Sequence, residues 1–207
     1  MDQKIAAIGD SHSFRCFQGH KRIADSTVYS GTNKLDGKTA YKIANHHKRV
    51  MKVILPLREK HLLFCFGEVD IRIHIKYQHL RTGVPVDALL QQTAQRYTEY
   101  VRDLRTQGFD IHIFNVVPTG EFSGPRFEGW KKKLTYPFLT DFSERQEYTL
   151  SLNRQLRRYC TEKNIPFIDI YKYLVDEKGK RRQELIYDFS HLNAQTADIV
   201  LEHYSFS

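Results

Sequence analysis

The stretch Ile5-Ala6-Ala7-Ile8-Gly9-Asp10-Ser11-His12-Ser13 is an apolar run that breaks into Gly-Asp-Ser. A run this short, closed by glycine, reads as a buried strand feeding a tight turn. A serine just past such a strand sits outside its carboxyl end, where open α/β sheets bind ligands. Near the other end of the chain, Asp188-Phe189-Ser190-His191 supplies a carboxylate and an imidazole on a predicted loop. A hydroxyl is a poor nucleophile until a base takes its proton, and the base needs an acid to orient it. Ser11, His191 and Asp188 are therefore the candidate catalytic residues, as nucleophile, general base and orienting acid. The competing structural roles are helix caps for Ser11 and Asp188 and an ordinary loop histidine for His191. Asn193 is better placed than Asp188 to cap the last helix.

Working outward, strand-like segments at 4–8, 27–30, 61–66, 110–116 and 166–170 alternate with helix-like segments at 38–51, 86–107, 143–164 and 194–203. Such alternation predicts an α/β domain with a mainly parallel sheet. The runs at 62–66 and 111–117 are almost wholly apolar, as strands covered by helices on both faces should be. Leu89, Leu90, Thr93, Tyr97, Tyr100, Val101 and Leu104 form one helical stripe. Tyr148, Leu152, Leu156 and Tyr159 form another, behind a capping-box pattern that begins at Ser143. Two stretches break the pattern. The segment 118–141 follows a strand and carries Trp130 and Lys131-Lys132-Lys133, so it reads as a substrate-facing insertion. The charged run 176–182 reads as a solvated turn. No repeat or linker divides the chain, which is expected to be one domain over 1–207.

At 207 residues, with 41% hydrophobic and 27% charged residues, the composition is that of an ordinary globular domain. The net charge of +8 suits an acidic partner such as an anionic glycan or a phosphorylated donor. Nothing beyond charge points to nucleic acid. Cys16, Cys65 and Cys160 lack the spacing of a metal site or a disulfide framework, which favours a reducing, cytoplasmic setting. No segment approaches the ~18 apolar residues of a membrane span. His46, His47, His74 and His79 lack metal-ligand spacing, and no metal or cofactor is expected. The absence of GxSxG argues against an α/β-hydrolase elbow, and the absence of GxGxxG and GxxxxGK[ST] leaves nucleotide cradling unsupported.

These residues resemble the SGNH/GDSL hydrolases. Gly9-Asp10-Ser11 matches the block that carries the nucleophile, and Asp188-Phe189-Ser190-His191 matches the DxxH block that carries acid and base. Gly67-Glu68-Val69-Asp70 stands where the family has GxND, and the glycine of the second block falls on Gly31, with Gly37 the alternative. The blocks come in the family's order and span almost the whole chain. The resemblance implies a single three-layer α/β/α domain with a five-stranded, mainly parallel, flavodoxin-like sheet. It also implies an oxyanion or substrate-binding role for Gly31, Gly67, Asp70 and Arg72.

Val69 departs from the family pattern, because an apolar side chain cannot replace the Asn that donates to the oxyanion. Losing one such donor costs about two to three orders of magnitude in rate. Arg72, in Gly-Glu-Val-Asp-Ile-Arg, is the candidate replacement, with Glu68 four residues earlier as its partner. The expected chemistry is serine-dependent hydrolysis of O-acyl esters, by resemblance those of a carbohydrate. The alternatives are an O-acyltransferase that takes its acyl group from acetyl-coenzyme A, and a catalytically weakened glycan-binding module.

Overall fold

The computed structural model describes residues 5–25, 35–59, 61–134 and 137–206. Strand β1 (Ile5–Gly9) leads directly into α1 (Ser11–Phe17), and β2 (Ile23–Asp25) follows. A 3-10 helix (Ala40–His46) continues into α2 (His47–Ile54), and β3 (His61–Cys65) returns to the sheet. A π-helical turn (Asp70–His74) runs into α3 (Ile75–Thr82), followed by α4 (Val86–Thr106) and β4 (Asp110–Phe114). The rest comprises α5 (Pro125–Lys131), α6 (Phe142–Glu162), β5 (Phe167–Ile168), α7 (Tyr171–Leu174) and α8 (Gln195–His203).

The five strands pair in parallel in the order β2-β1-β3-β4-β5. Their side chains alternate between two cores, as the two-residue period of a strand requires. Ala6, Ile8, Leu62, Phe64, Ile111 and Ile113 pack against α2, α4 and α6. Ile5, Ala7, Leu63, Cys65 and Phe114 pack on the other face against α1 and α8. The three-layer α/β/α architecture is thus the one expected.

Several boundaries differ from expectation. The second strand lies at Ile23–Asp25, and the predicted 27–30 falls outside the described residues. The N-cap of α6 is Asp141 rather than Ser143. Its side chain accepts the Glu144 N–H at 2.8 Å, and Glu144 accepts the Asp141 N–H in return. The π-helical turn was not predicted. It contains β-branched Ile71 and Ile73, which carry weak helix propensity.

Gly9 ends β1 and Gly67 lies two residues beyond the end of β3, both on the side where the site forms. A Cβ on Gly9 would lie 2.2 Å from the Cys65 carbonyl oxygen, a backbone atom that cannot yield. Gly67 has φ +125°, and a Cβ there would meet Val116 Cγ2 at 2.6 Å. Gly9→Ala should lower stability by more than about 2 kcal/mol in urea unfolding, because β1 must separate from β3 to admit the methyl. Wild-type stability in that variant would refute the tight strand approach.

Candidate active site

Ser11 is the first residue of α1, immediately beyond the end of β1. Its N-cap, Asp10, accepts the His12 N–H at 2.9 Å, which closes the turn that presents the hydroxyl. The Ser11 N–H lies in the first helical turn, where backbone amides have no acceptor within the helix. Ser11 Oγ lies 2.9 Å from His191 Nε2, and His191 Nδ1 lies 2.9 Å from each Asp188 carboxylate oxygen. Asp188 Oδ1 also accepts the Ser190 and His191 N–H groups at 2.8 Å, so one carboxylate both folds its loop and orients the imidazole. Asn193 accepts the Gln195 N–H at the start of α8, which leaves Asp188 free of capping duty.

Beneath this line lies a buried set of charges. His12 is 3% exposed, with Nδ1 3.2 Å from Asp10 Oδ1 and Nε2 3.3 Å from the Ser190 carbonyl oxygen. Both ring nitrogens face acceptors, an arrangement the protonated ring satisfies. Burial disfavours that charge, but Glu68 and Asp10 outweigh it and hold the pKa of His12 above the usual 6.5. His191 shifts the other way, through burial and the neighbouring His12 charge, against the pull of Asp188. The two rings are 4.6 Å apart. Burial pushes the Asp188 carboxyl up, but its hydrogen bonds with His191 and the loop amides hold it well below the usual carboxylate range.

Arg72 ties this set to the catalytic loop. Its Nη1 donates to Ser190 Oγ at 2.7 Å, its Nη2 lies 3.2 Å from Glu68 Oε2, and its guanidinium sits 5.0 Å over the Trp130 ring. The expected Glu68–Arg72 pair is therefore present. Ser11, Val69, Arg72, Trp130, Asp188 and His191 line one cavity of about 810 Å³.

Two expected binding residues lie elsewhere. Asp70 is fully buried and does not line the cavity. Its carboxylate accepts the Ala40 and Tyr41 N–H groups at 2.6 and 3.1 Å, and burial pushes its pKa up to about 7. It caps the 3-10 helix instead of touching substrate. Gly67 does not line the cavity either, and its backbone geometry and contact with Val116 explain the glycine. Gly31 lies outside the described residues, whereas the alternative glycine, Gly37, lines the cavity.

The insertion reaches the site as expected, since Trp130 and Leu134 line the cavity, but Lys131, Lys132 and Lys133 are exposed and do not. Trp130 also stands 5.6 Å from Phe189 of the catalytic loop. Arg145, 1% exposed, pins both ends of the insertion. It donates to Thr119 Oγ1 at 3.0 Å, to the Gly120 carbonyl at 3.0 Å and to the Thr140 carbonyl at 2.7 Å. Its position on the apolar stripe of α6, three residues before Tyr148 and seven before Leu152, was the sequence signal for this role. The turn 176–182 is not wholly solvated, because Arg181 is buried and donates to the Phe189 carbonyl at 2.9 Å. No local pattern marks Arg181.

Among the described residues, His61, Asp110 and His112 have potential ligand atoms within 4.8 Å of one another. They stand at the starts of β3 and β4, at the sheet edge opposite Ser11. Asp110 already accepts from His61, and its other oxygen accepts from Arg105 at 3.0 Å. No described helix is long and apolar enough to cross a membrane.

No family model matches the chain, and no curated protein does so. Solved structures do match. A GDSL-like lipase from Bacteroides thetaiotaomicron is 16% identical, with a TM-score of 0.61 over 98% of this chain and 85% of that one. An acetyl xylan esterase is 15% identical, with a TM-score of 0.57 over 96% and 98%. The OSK domain of Drosophila Oskar is 17% identical, with a TM-score of 0.54 over 98% and 86%. The chain has the SGNH/GDSL hydrolase fold. Because one fold hosts unrelated functions, activity must be argued from the site. The structure brings together Ser11, His191 and Asp188, the residues that the sequence resemblance singled out, and Val69 lines the same cavity.

Two measurements probe the charges beneath Ser11, His191 and Asp188. The His191 imidazole should titrate below 6.5 by NMR, and His12→Asn should move it upward, since a neighbouring positive charge is removed. An unmoved titration would remove His12 from the electrostatics of the base. Arg72→Ala should destabilise the fold by about 3 kcal/mol, because it leaves the buried Glu68 with only His12 as a neighbouring cation. Adding Glu68→Gln should recover more than about 1 kcal/mol, and strict additivity in urea unfolding would show the two residues to be uncoupled.

Proposed function

We propose that this protein is a serine-dependent esterase that removes acyl groups from O-acyl esters of a carbohydrate. The observation that carries this reading is the continuous hydrogen-bonded line from Ser11 through His191 to Asp188, opening on a cavity large enough for a saccharide ester. Ser11 Oγ attacks the ester carbon while His191 Nε2 takes its proton. The tetrahedral oxyanion faces the Ser11 N–H. As the intermediate collapses, the bond to the alcohol oxygen breaks, and His191 returns the proton to that oxygen. Water, deprotonated by His191, then attacks the acyl-enzyme and releases the acid and free Ser11. Asp188 stays ionised throughout and stabilises the imidazolium. No step requires a metal or cofactor. Trp130 supports the carbohydrate assignment by offering an aromatic wall beside the nucleophile, and an acetyl xylan esterase shares the fold.

The same residues serve an O-acyltransferase if a sugar hydroxyl replaces water and acetyl-coenzyme A supplies the acyl group. The cations in the cavity favour keeping this second reading, since they suit a phosphorylated donor. A binding module with weakened catalysis rests on Val69 alone. The buried thiols Cys16, Cys65 and Cys160, none of them bonded to another, support a cytoplasmic location.

A fluorophosphonate probe should label the wild type and neither Ser11→Ala nor His191→Ala. Equal labelling of all three would rule out Ser11 as the nucleophile. Turnover of acetyl-coenzyme A that rises when a sugar acceptor is added would select the transferase.

A further inference from the structure

The cavity that holds Ser11 has a second wall that the ester chemistry does not use. His74, Tyr77, Gln78 and Arg81 fall at i, i+3, i+4 and i+7 along the helix that ends at Thr82, and all four line the cavity. Lys38 and Lys42, also lining it, flank the Thr39 cap of the 3-10 helix. Neither lysine has a carboxylate within ion-pair distance among the described residues, and Arg81 donates only to the Gln78 side chain, at 3.2 Å. Among the described residues, two carboxylates line the same cavity. Asp188 is taken up by His191, which leaves Asp36 alone against three unpaired cations.

The surrounding histidines register this positive field. Burial, with Lys42, Arg81 and Arg96 nearby, pushes His74 down to about 4. Burial with Lys38, Arg49 and Lys42 lowers His46 as well. A low His74 pKa leaves a neutral imidazole at neutral pH, with one donor and one acceptor on its ring. The His74 side chain is 7% exposed, and its Nε2 has no hydrogen-bond partner. Unpaired cations around a concave site raise the local concentration of anions and orient them, even where a single exposed pair contributes little.

We propose that Lys38, Lys42 and Arg81 form a subsite for an anionic group, carboxylate or phosphate, carried by the substrate away from its acyl carbon. This inference rests on the esterase reading and narrows its substrate to acidic esters. The carboxylate of an acidic glycan and the phosphates of an acyl-coenzyme A donor present the same chemistry to these side chains.

The test uses the full chain carrying Ser11→Ala, so that no ligand turns over. Galacturonate oligomers, coenzyme A and neutral xylose oligomers are titrated by calorimetry in low and moderate salt. At low salt at least one anionic ligand should bind about tenfold tighter than the neutral oligomer, and that margin should shrink as salt rises. Adding Lys38→Gln and Lys42→Gln should abolish the margin, whereas Lys131→Gln, Lys132→Gln and Lys133→Gln together should preserve it. Whichever anion keeps the margin identifies the source of the charge. Equal affinity for charged and neutral ligands overturns the subsite, as does equal loss in both sets of lysine variants, which would mean net charge alone. Labelling of the wild-type serine is read separately. Binding without labelling would defeat the esterase and spare the subsite, and labelling without anion preference would do the reverse.

Discussion

Glu68 lies 4% exposed beneath the loop that carries His191, and its charge must be met by protein groups because water does not reach it. Arg72 and His12 meet it, at 3.2 and 3.5 Å, and neither contact has the alignment of a hydrogen bond. Both cations also reach Ser190: Arg72 Nη1 donates to its hydroxyl, and the His12 nitrogen that faces Glu68 lies 3.3 Å from its carbonyl oxygen. Ser190, between Asp188 and His191, is therefore held by the groups that neutralise a buried carboxylate. A loop held only by its own turn would drift by amounts that matter, since misplacement of about 1 Å can cost on the order of a hundredfold in rate.

The strand order explains why residues near the two ends of the chain meet at all. With β1 next to the central strand β3 and parallel to it, Ser11 emerges beside the segment after β3, which carries Glu68 and Arg72. The loop at 188–191 precedes α8, and α8 packs on the same face of the sheet as α1. Arg145 adds the fourth component by fixing Thr119, Gly120 and Thr140, so the insertion lies against Phe189 and closes one side of the cavity. The site is thus assembled at one sheet edge from four separate stretches of chain, each anchored by a buried arginine or by the sheet itself.

Much of this was legible because it depends on local period and short motifs. The apolar strands, the stripes on α4 and α6, and the serine, aspartate and histidine all announce themselves within a few residues. Asp70 was misread because a carboxylate beside a glycine block carries no local sign of whether it faces a cavity or caps a distant helix. That distinction depends on Ala40 and Tyr41, which lie thirty and twenty-nine residues away. The Lys131-Lys132-Lys133 run drew attention by its density, yet Lys38, Lys42 and Arg81 face the cavity. Dense charge marks a solvated surface, whereas charges that share a cavity are brought together only by the fold. Arg145 went unread although it carries a sign: an arginine on an apolar stripe marks a buried, fully bonded cation.

The two neighbouring imidazoles show how the buried charges bear on the reaction. His12 has its pKa raised, so the stability it contributes is complete below its unfolded value of 6.5 and is lost as pH rises through its folded value. His191 has its pKa lowered, so protonating it costs stability once pH falls below 6.5. With rings 4.6 Å apart they cannot easily both be charged, and the surrounding carboxylates assign the proton to His12. Glu68 and Asp10 face His12 directly, whereas His191 has Asp188, whose lone pairs are shared with two backbone amides. The consequence is a base that stays unprotonated at neutral pH. A lower pKa also makes it a weaker proton acceptor, so the site gives up some driving force for having its base free. In the proposed mechanism Val69 offers the oxyanion no side-chain donor, so the Ser11 N–H would carry more of that charge.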